Sequence, residues 1–404
     1  MPARILILGA GFGGLFTALQ AARLLGHRAA ITIVDRNDYF LYTPLLFQVV
    51  GGTLRPDHVA RPLARLLPPR IRFVQAAVRA IELDRRAVET DGGALEYDYL
   101  VIALGGVPNY FGIASAEQHT LPFKWLPDVA RLRAHIAARV LQAAADPARA
   151  ADLLRTVITG AGCTGVELAA ELHDWMYGPL ARAHPSVSPS AIGITIAEAL
   201  DHLLCPMDPE LRRAALRRLT ERRIAVQLSS LVSDIGPDWI EYRSSGRATR
   251  VACGTVVWTA GIKANPVVGA LPVAFGPNGR IVVSATLQIP GRPEVLAVGD
   301  LAACGDPHSG VLPTTAQVAA QHAPAAARTL GALISGRLPR PFQYKRKGEV
   351  VGLGRTGALV EAFGLRLVGM PAWLVGRVIH LSRLPDWGDR VAVAWEWARD
   401  VLRR

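Results

Sequence analysis

The pattern Gly-Ala-Gly-x-x-Gly occurs twice in this chain, at Gly9-Ala10-Gly11-Phe12-Gly13-Gly14 and at Gly160-Ala161-Gly162-Cys163-Thr164-Gly165. Each copy follows an apolar run that reads as a strand, Arg4 to Leu8 and Thr156 to Ile158, and each opens a helical pattern. The glycines permit a tight turn, close approach of the backbone to a pyrophosphate, and close packing of helix on strand. The helix N-terminus then offers free N–H groups and a positive dipole end to the anion. Gly9, Gly11 and Gly14 map onto Gly160, Gly162 and Gly165 by one constant offset. A single pattern of this kind is a weak signal. Two copies, each between a strand and a helix, imply two dinucleotides on one polypeptide, a flavin and a nicotinamide.

Length and composition bound the rest. The 404 residues suffice for two or three domains. Half of them are hydrophobic, yet no run approaches the roughly 18 apolar residues of a spanning helix. Met1 to Leu8 runs straight into the first strand, so no secretory leader is expected. Cys163, Cys205, Cys253 and Cys304 are scattered, which argues against a disulfide framework, a vicinal redox pair or a metal site. The net charge of +12 favours acidic partners. The arginines are dispersed and no nucleic-acid motif appears. What remains is either an arginine-solvated surface or a basic face held against anionic lipid.

In the first half, a helix from Leu15 stops at Gly26, and a strand from Ala30 to Val34 delivers Asp35-Arg36. An acid at that point suits the adenosine ribose hydroxyls. The aromatic and apolar stretch Tyr39 to Gly52, which includes Thr43, either packs in a core or lines a flavin ring and an apolar substrate. Short strands are expected at Arg72 to Ala77 and Ile81 to Leu83. A buried strand, Tyr97 to Leu104, runs into Ala103-Leu104-Gly105-Gly106.

In the second half, Asp128 can cap a helix over Ala130 to Leu141. The fingerprint helix is expected to continue to Trp175, followed by an exposed Pro/Ser-rich loop from Gly178 to Ser190. A strand Ile192 to Ala197 then presents Glu198, which can accept bonds from ribose hydroxyls and would repel a 2′-phosphate. That favours NADH over NADPH. Its separation from Gly160 exceeds the usual spacing of about 20, and the loop explains the excess. A helix from Pro209 to Glu221 and a small strand set from Ala225 to Tyr242 come next. Glu167 stands in the first turn of the fingerprint helix, either as a favourable first-turn acid or as a group that holds the nicotinamide amide or relays a proton. Cys163 reads as a small packing residue.

Further on, Thr255 to Pro266 is an apolar strand ending in a turn at Gly261, and Val295 to Asp300 is a strand delivering an acid. Pro313 to Ala323 starts a helix in which Ala316 stands at the N-terminal end, and Gln317 and Gln321 share one face. N–H groups at this N-terminus can stabilise negative charge on a reduced flavin.

The segments Tyr39 to Gly52, Thr255 to Pro266 and Ala316-Gln317-x-x-x-Gln321, with Glu167 in the second glycine motif, resemble those of the type II NADH dehydrogenases, and Val295 to Asp300 reads as a second FAD fingerprint. The resemblance covers essentially the whole chain. It implies an α/β fold of two Rossmann-like dinucleotide domains, one nested in the other, plus a C-terminal α+β membrane-surface module. The expected boundaries are 1–112 with 250–335 for FAD, 113–249 for NADH, and 336–404 for the module. It implies FAD contacts from Gly9, Gly11, Gly13, Gly14, Asp35, Arg36, Thr43, Val78, Ala103, Gly105, Asp300, Ala316 and Gln317. NADH contacts would come from Gly160, Gly162, Thr164, Gly165, Glu198 and Gly261. A catalytic role falls to Glu167, and a quinone site to Gln317 and Gln321.

In the last segment, Phe342 to Gly348 and Val350 to Gly354 read as a hairpin, with a further strand at Ala358 to Ala362. Trp373, Trp387, Trp395 and Trp397 crowd the tail, and Val391, Ala394, Trp395, Ala398 and Leu402 keep helical spacing with Arg399, Arg403 and Arg404 around them. This composition suits an interfacial helix; a helix docked on the body or a homodimer contact is the alternative. The expectation is a peripheral enzyme on the cytoplasmic face of the cell membrane, passing a hydride from NADH to FAD and two electrons to a quinone, without proton pumping. Rival readings are a sulfide:quinone oxidoreductase, a soluble NADH:acceptor reductase and a non-catalytic redox sensor.

Overall fold

The computed structural model describes residues 1–205, 207–306, 310–362, 364–384 and 386–402. The chain forms two α/β units. One comprises Met1–Leu41, Ala60–Asn109 and Ile262–Arg346; the other comprises Tyr42–Val59, Tyr110–Gly261 and Lys347–Arg404.

The first unit is built on a six-stranded sheet. Its five parallel strands run, in spatial order, Arg292–Ala297, Tyr99–Ile102, Ala3–Leu8, Ala29–Asp35 and Ile71–Gln75, with Gln288–Ile289 antiparallel at one edge. Leu8 lies opposite both Val34 and Ile102. Ile5, Leu6, Ile7 and Leu8 are all buried, because a parallel strand covered on both faces needs a continuous apolar run, not an alternating one. The helix Phe12–Leu25 begins three residues earlier than Leu15 and ends at Gly26, where φ is 55°. It packs on the helix Ala316–Ile334, capped by the Thr315 side chain. That contact needs a small residue: a Cβ on Gly331 would lie 3.1 Å from Leu24.

The second unit repeats the plan with five parallel strands: Leu121–Pro122, Thr255–Trp258, Arg155–Thr159, Gly193–Ala197 and Ile224–Gln227. Asp128 acts in the first turn of the helix Leu126–Ala145, accepting from the Lys124 and Trp125 amides at 2.9 and 2.8 Å. The helix Cys163–Trp175 carries the second fingerprint.

The structure departs from two expectations. The stretch after Trp175 is not simply an exposed loop. Met176–Leu180 continues as a π turn, Ala181–Ala183 adds a helical turn, and Met176, Leu180 and Val187 are buried. Pro179 cannot donate to the preceding turn, so the helix widens there instead of stopping. Nor do residues 342–348 form a hairpin strand. The sheet starts after Gly348 and consists of Glu349–Gly352, Ala358–Ala362 and Leu365–Gly369, all antiparallel. Gly348 has φ 97°, and a Cβ there would collide with the Glu361 carbonyl. Two helices complete the chain, Met370–Arg383 and Trp387–Leu402.

The segment Tyr42–Val59 is tied to these last helices. Trp397 donates its indole N–H to Gln48 at 2.7 Å, and Glu396 pairs with His58 at 2.7 Å and with Arg55 at 3.0 Å. Among the described residues no helix is long and apolar enough to cross a membrane.

Candidate functional site

In the first unit the fingerprint closes on itself. The Gly9 amide donates to the Val34 carbonyl at 2.7 Å, and the Asp35 carboxylate accepts from the Ala10 amide at 2.7 Å and the Asn37 amide at 2.9 Å. The glycines are dictated by space. A Cβ on Gly9, where φ is 97°, would collide with the Ala103 carbonyl, and one on Gly14 would collide with the Gly9 carbonyl. A Cβ on Gly13 would lie 3.0 Å from Val298. Gly11 is different: nothing lies within 4 Å of its Cβ position, and it caps the helix with no side-chain partner. Open space therefore meets the backbone N–H groups of the first turn, which is the donor set a pyrophosphate needs. Burial raises the Asp35 carboxyl above its usual range, against the bonds from Ala10 and Asn37.

Ala103 follows the central strand and lies beside this turn, with Gly105 two residues further on. Gly105, with φ 66°, accepts the Asn265 amide. Arg36 offers its carbonyl to Gln75 at 3.3 Å. Val78 opens the strand Val78–Glu82, paired with Thr90. Thr43 falls in the second unit, at the start of the turn Thr43–Leu45. The stretch Tyr39 to Gly52 is largely core, with Phe40, Tyr42, Leu45, Leu46, Phe47, Val49 and Val50 buried.

Asp300 sits in a short 3-10 turn, Gly299–Leu301. Two residues that nothing in the sequence singles out shape this turn. The buried His322 accepts the Gly299 amide on Nδ1 at 3.1 Å, which fixes its tautomer, and burial lowers its pKa to about 4, so it stays neutral. Arg280 donates to the Ala302 and Leu312 carbonyls. A histidine inside an alanine-rich helix and an arginine after a glycine carry no local signal; only the chain's return past Gly299 gives them partners. Ala316 and Gln317 begin the next helix. The Tyr344 hydroxyl donates to Gln317 Oε1 at 3.1 Å, and the Gln321 amide exchanges two bonds with the Lys345 backbone at 2.9 and 3.1 Å. Both glutamines thus meet one segment, as their spacing requires.

The second unit builds its fingerprint the same way. Gly160 donates to the Ala197 carbonyl at 2.7 Å, and Glu198 accepts from the Ala161 amide at 2.6 Å and the Leu200 amide at 3.0 Å. A Cβ on Gly165 would collide with the Gly160 carbonyl, one on Gly160 would lie 2.7 Å from Ala260, and Gly162 again faces open space. Thr164 is exposed in the first turn. The Thr259 hydroxyl donates to the Thr159 carbonyl at 2.6 Å, which sets Ala260 and Gly261 against the turn. Phe111 comes within 3.0 Å of where a Gly261 Cβ would stand. Both units therefore fit a dinucleotide: crowded glycines make the turn, one glycine leaves open space at the helix N-terminus, and an acid follows the second strand's core.

Glu167 is buried one turn into this helix. It accepts the Gly352 amide at 3.0 Å, and burial, reinforced by Glu349 and Glu171, raises its pKa to about 8. Burial also pushes the Cys163 thiol up, so it is no ready nucleophile. All four cysteines are free. At the end of the chain, Val391, Trp395 and Leu402 are exposed, while Val393 and Trp397 of the same helix are buried. The preceding helix exposes Leu374 and Val378. Arg399 is exposed beside this stripe, whereas Arg403 and Arg404 lie outside the described residues.

Comparison with known proteins places this architecture. The family model for pyridine nucleotide-disulphide oxidoreductases matches residues 3–323. The demethylphylloquinone reductase NdbB of Synechocystis is 33% identical over 98% of this chain and 95% of its own. The type II NADH:quinone oxidoreductase Ndh of Mycobacterium tuberculosis is 31% identical over 99% of this chain and 88% of its own. Among solved structures, NDH2 from Plasmodium falciparum in complex with NADH superimposes with a TM-score of 0.90 at 18% identity, covering 99% of this chain and 98% of that one. A sulfide:quinone oxidoreductase from Aquifex aeolicus shares the fold with a TM-score of 0.77 at 21% identity, covering 96% of this chain and 92% of that one. Two fingerprints of one design and full-length kinship lead to the same place: this chain belongs to the pyridine nucleotide-disulphide oxidoreductase family and, within it, to the type II NADH:quinone oxidoreductases.

Proposed function

We propose that this chain is an FAD-dependent NADH:quinone oxidoreductase that works at a membrane surface without pumping protons. One observation carries the reading: each unit holds a fingerprint glycine turn whose middle amide is bonded by an acid, Asp35 on Ala10 and Glu198 on Ala161. The flavin supplies the redox chemistry, taking a hydride and giving up two electrons.

The chain's own groups bind and orient. Gly9, Gly11, Gly13, Gly14, Asp35, Arg36, Thr43, Val78, Ala103, Gly105, Asp300, Ala316 and Gln317 hold FAD. Gly160, Gly162, Thr164, Gly165, Glu198 and Gly261 hold NADH. Each carboxylate oxygen of Glu198 spends one lone pair on an amide and keeps another for a ribose hydroxyl. A 2′-phosphate would meet that negative charge, hence NADH over NADPH. Gln317 and Gln321 address the quinone, for which the Gln321 amide keeps a second N–H beyond its bond to Lys345. Glu167 holds a proton at neutral pH because burial opposes its charge.

The exposed apolar stripe of the last two helices, rimmed by arginine, suits the anionic surface of a membrane. The enzyme would sit as a peripheral protein on the cytoplasmic face, and a homodimer contact is the other use of that stripe. The raised Cys163 thiol and the lack of any paired cysteine speak against sulfide as donor.

Anaerobic stopped-flow absorbance tests the reading. NADH should bleach the flavin band quickly, NADPH slowly and sulfide not at all, and a short-chain quinone should restore it. Bleaching by sulfide alone would overturn the assignment.

A further inference from the structure

Three acids line one stripe of the second fingerprint helix: Glu167, Glu171 and Asp174, four and then three positions apart. That spacing stacks side chains on one face. Their surroundings change along it. Glu167 and Glu171 are 8% and 2% exposed, with no ion pair to either among the described residues. Glu171 Oε1 accepts the Thr53 hydroxyl at 2.6 Å, and a Cβ on Gly51 would collide with that same oxygen. The site is therefore shaped around a carboxyl. Asp174 is more open: Arg222 donates to it, the Arg355 amide donates at 2.9 Å, and His173 Nδ1 lies 3.6 Å away. Asp400 pairs with Arg355 at 3.7 Å.

We infer that Glu171 is a proton reservoir for the proposed reaction, holding a proton one helical turn behind Glu167 and returning it there after each turnover. This rests on the function proposed above, and it supplies what the stoichiometry demands. NADH, one proton and a quinone give NAD⁺ and a quinol. The hydride carries both electrons and one hydrogen, so the second hydrogen comes from water. An O–H bond of Glu167 breaks as the acceptor's O–H forms. The Glu171 O–H then breaks as that of Glu167 re-forms, and Glu171 is refilled through the partly open Asp174 cluster. The carboxyls undergo no redox change.

The neighbours are arranged for this use. Glu167 and Asp174 on its own helix, and Asp400 from the last helix, oppose a charge on Glu171, while Arg355 favours one. Glu167 in turn faces Glu349 and Cys163. Burial raises both carboxyls to about 8, so both stay largely protonated at neutral pH.

The test uses Glu171→Gln, whose amide oxygen still accepts the Thr53 bond. Three readouts are expected on the flavin-loaded protein. Infrared spectra at pH 7 should lose one protonated-carboxyl band relative to the wild type. The reduction of flavin by NADH should keep its rate within about twofold. Repeated turnover with quinone should fall about tenfold at pH 8 and less at pH 6, with the first turnover spared and Glu171→Asp restoring most of the rate. Turnover at the wild-type rate at every pH, or an unchanged infrared band, would overturn the inference. Should the variant fail to fold, the wild-type spectrum decides, since absence of any protonated-carboxyl band at pH 7 also overturns it. Failure of NADH to bleach the wild-type flavin would instead sink the reaction itself.

Discussion

The two fingerprint turns share one bonding scheme, yet they lead into different chemistry. In both, the first glycine donates to a carbonyl at the end of the second strand, the third glycine is pressed against the carbonyl of the first, and an acid bonds the amide between. They differ one turn later. In the first unit Phe16 stands where the second has Glu167, and it packs against Phe40 with centroids 5.8 Å apart. In the second, the helix carries buried Glu167 and Glu171. The glycine turn is thus a binding device only. The side chains of the next turn set the two units apart, and the proton role proposed for Glu167 and Glu171 rests on that difference.

The largest test of that division replaces the third glycine. Gly14→Val and Gly165→Val both drive a side chain into a carbonyl and should cost about 3 kcal/mol locally. Gly14→Val is expected to yield protein without bound flavin, seen by absorbance after purification. Gly165→Val should keep its flavin and lose bleaching by NADH. Loss of flavin from both would break the assignment of one nucleotide to each unit.

The acids give the next effect. A charge-assisted bond lost on truncation is worth about 1.5–3 kcal/mol. Glu198→Ala should raise the KM for NADH about tenfold and narrow the preference over NADPH, with flavin content unchanged. Asp35→Ala should lower flavin occupancy instead. An unchanged NADH to NADPH ratio in Glu198→Ala would remove that residue from the ribose site.

Smaller again is the pH effect that Glu167 brings to the second unit. Glu167 has a folded pKa of about 8 against an ordinary value of 4.5. The folded protein therefore binds more protons than the unfolded chain between these values, and its stability falls as pH rises from about 4.5 to about 8. Glu167→Gln should flatten that slope, so that the variant loses about 1–3 kcal/mol less than the wild type between pH 5 and pH 8. Denaturant melts at both pH values would show it, and equal slopes in the two proteins would contradict a protonated Glu167.

The smallest effect concerns the arginines that open the two fingerprint strands at the same offset. Arg4 pairs with Asp98 and Glu96, and Arg155 pairs with Asp152 at 3.1 Å. Both pairs lie at the surface, so alanine at either should shift Tm by no more than about 2 °C at low salt and by nothing at high salt. Thermal melts at the two salt concentrations check this, and a larger drop for one arginine would show that the two strands are not anchored alike.

Much of this architecture was legible from local pattern. The glycine spacings, the apolar strands before them and the acids Asp35 and Glu198 are sequence-local, because a nucleotide turn is made by contiguous residues. Even the extra length before Glu198 was visible, although its content was not: a proline placed where a helix could widen made Met176–Leu180 a π turn. The strand start after Gly348 was equally hidden: the backbone turns there at φ 97°, and the close approach of the Glu361 carbonyl that leaves room only for glycine comes from a neighbouring strand.

Local sequence was enough to establish that two nucleotide-binding α/β units are present, where each begins, and which acid ends each second strand. Those features come from steric freedom and hydrophobic run length, which act along the chain. It took tertiary packing to make His322 hold Gly299, to bond Gln321 to Lys345, and to deprive Glu167 and Glu171 of water. These depend on groups distant in sequence closing over one another, and desolvation, which gives the two glutamates their character, is a property of that enclosure and of no single residue.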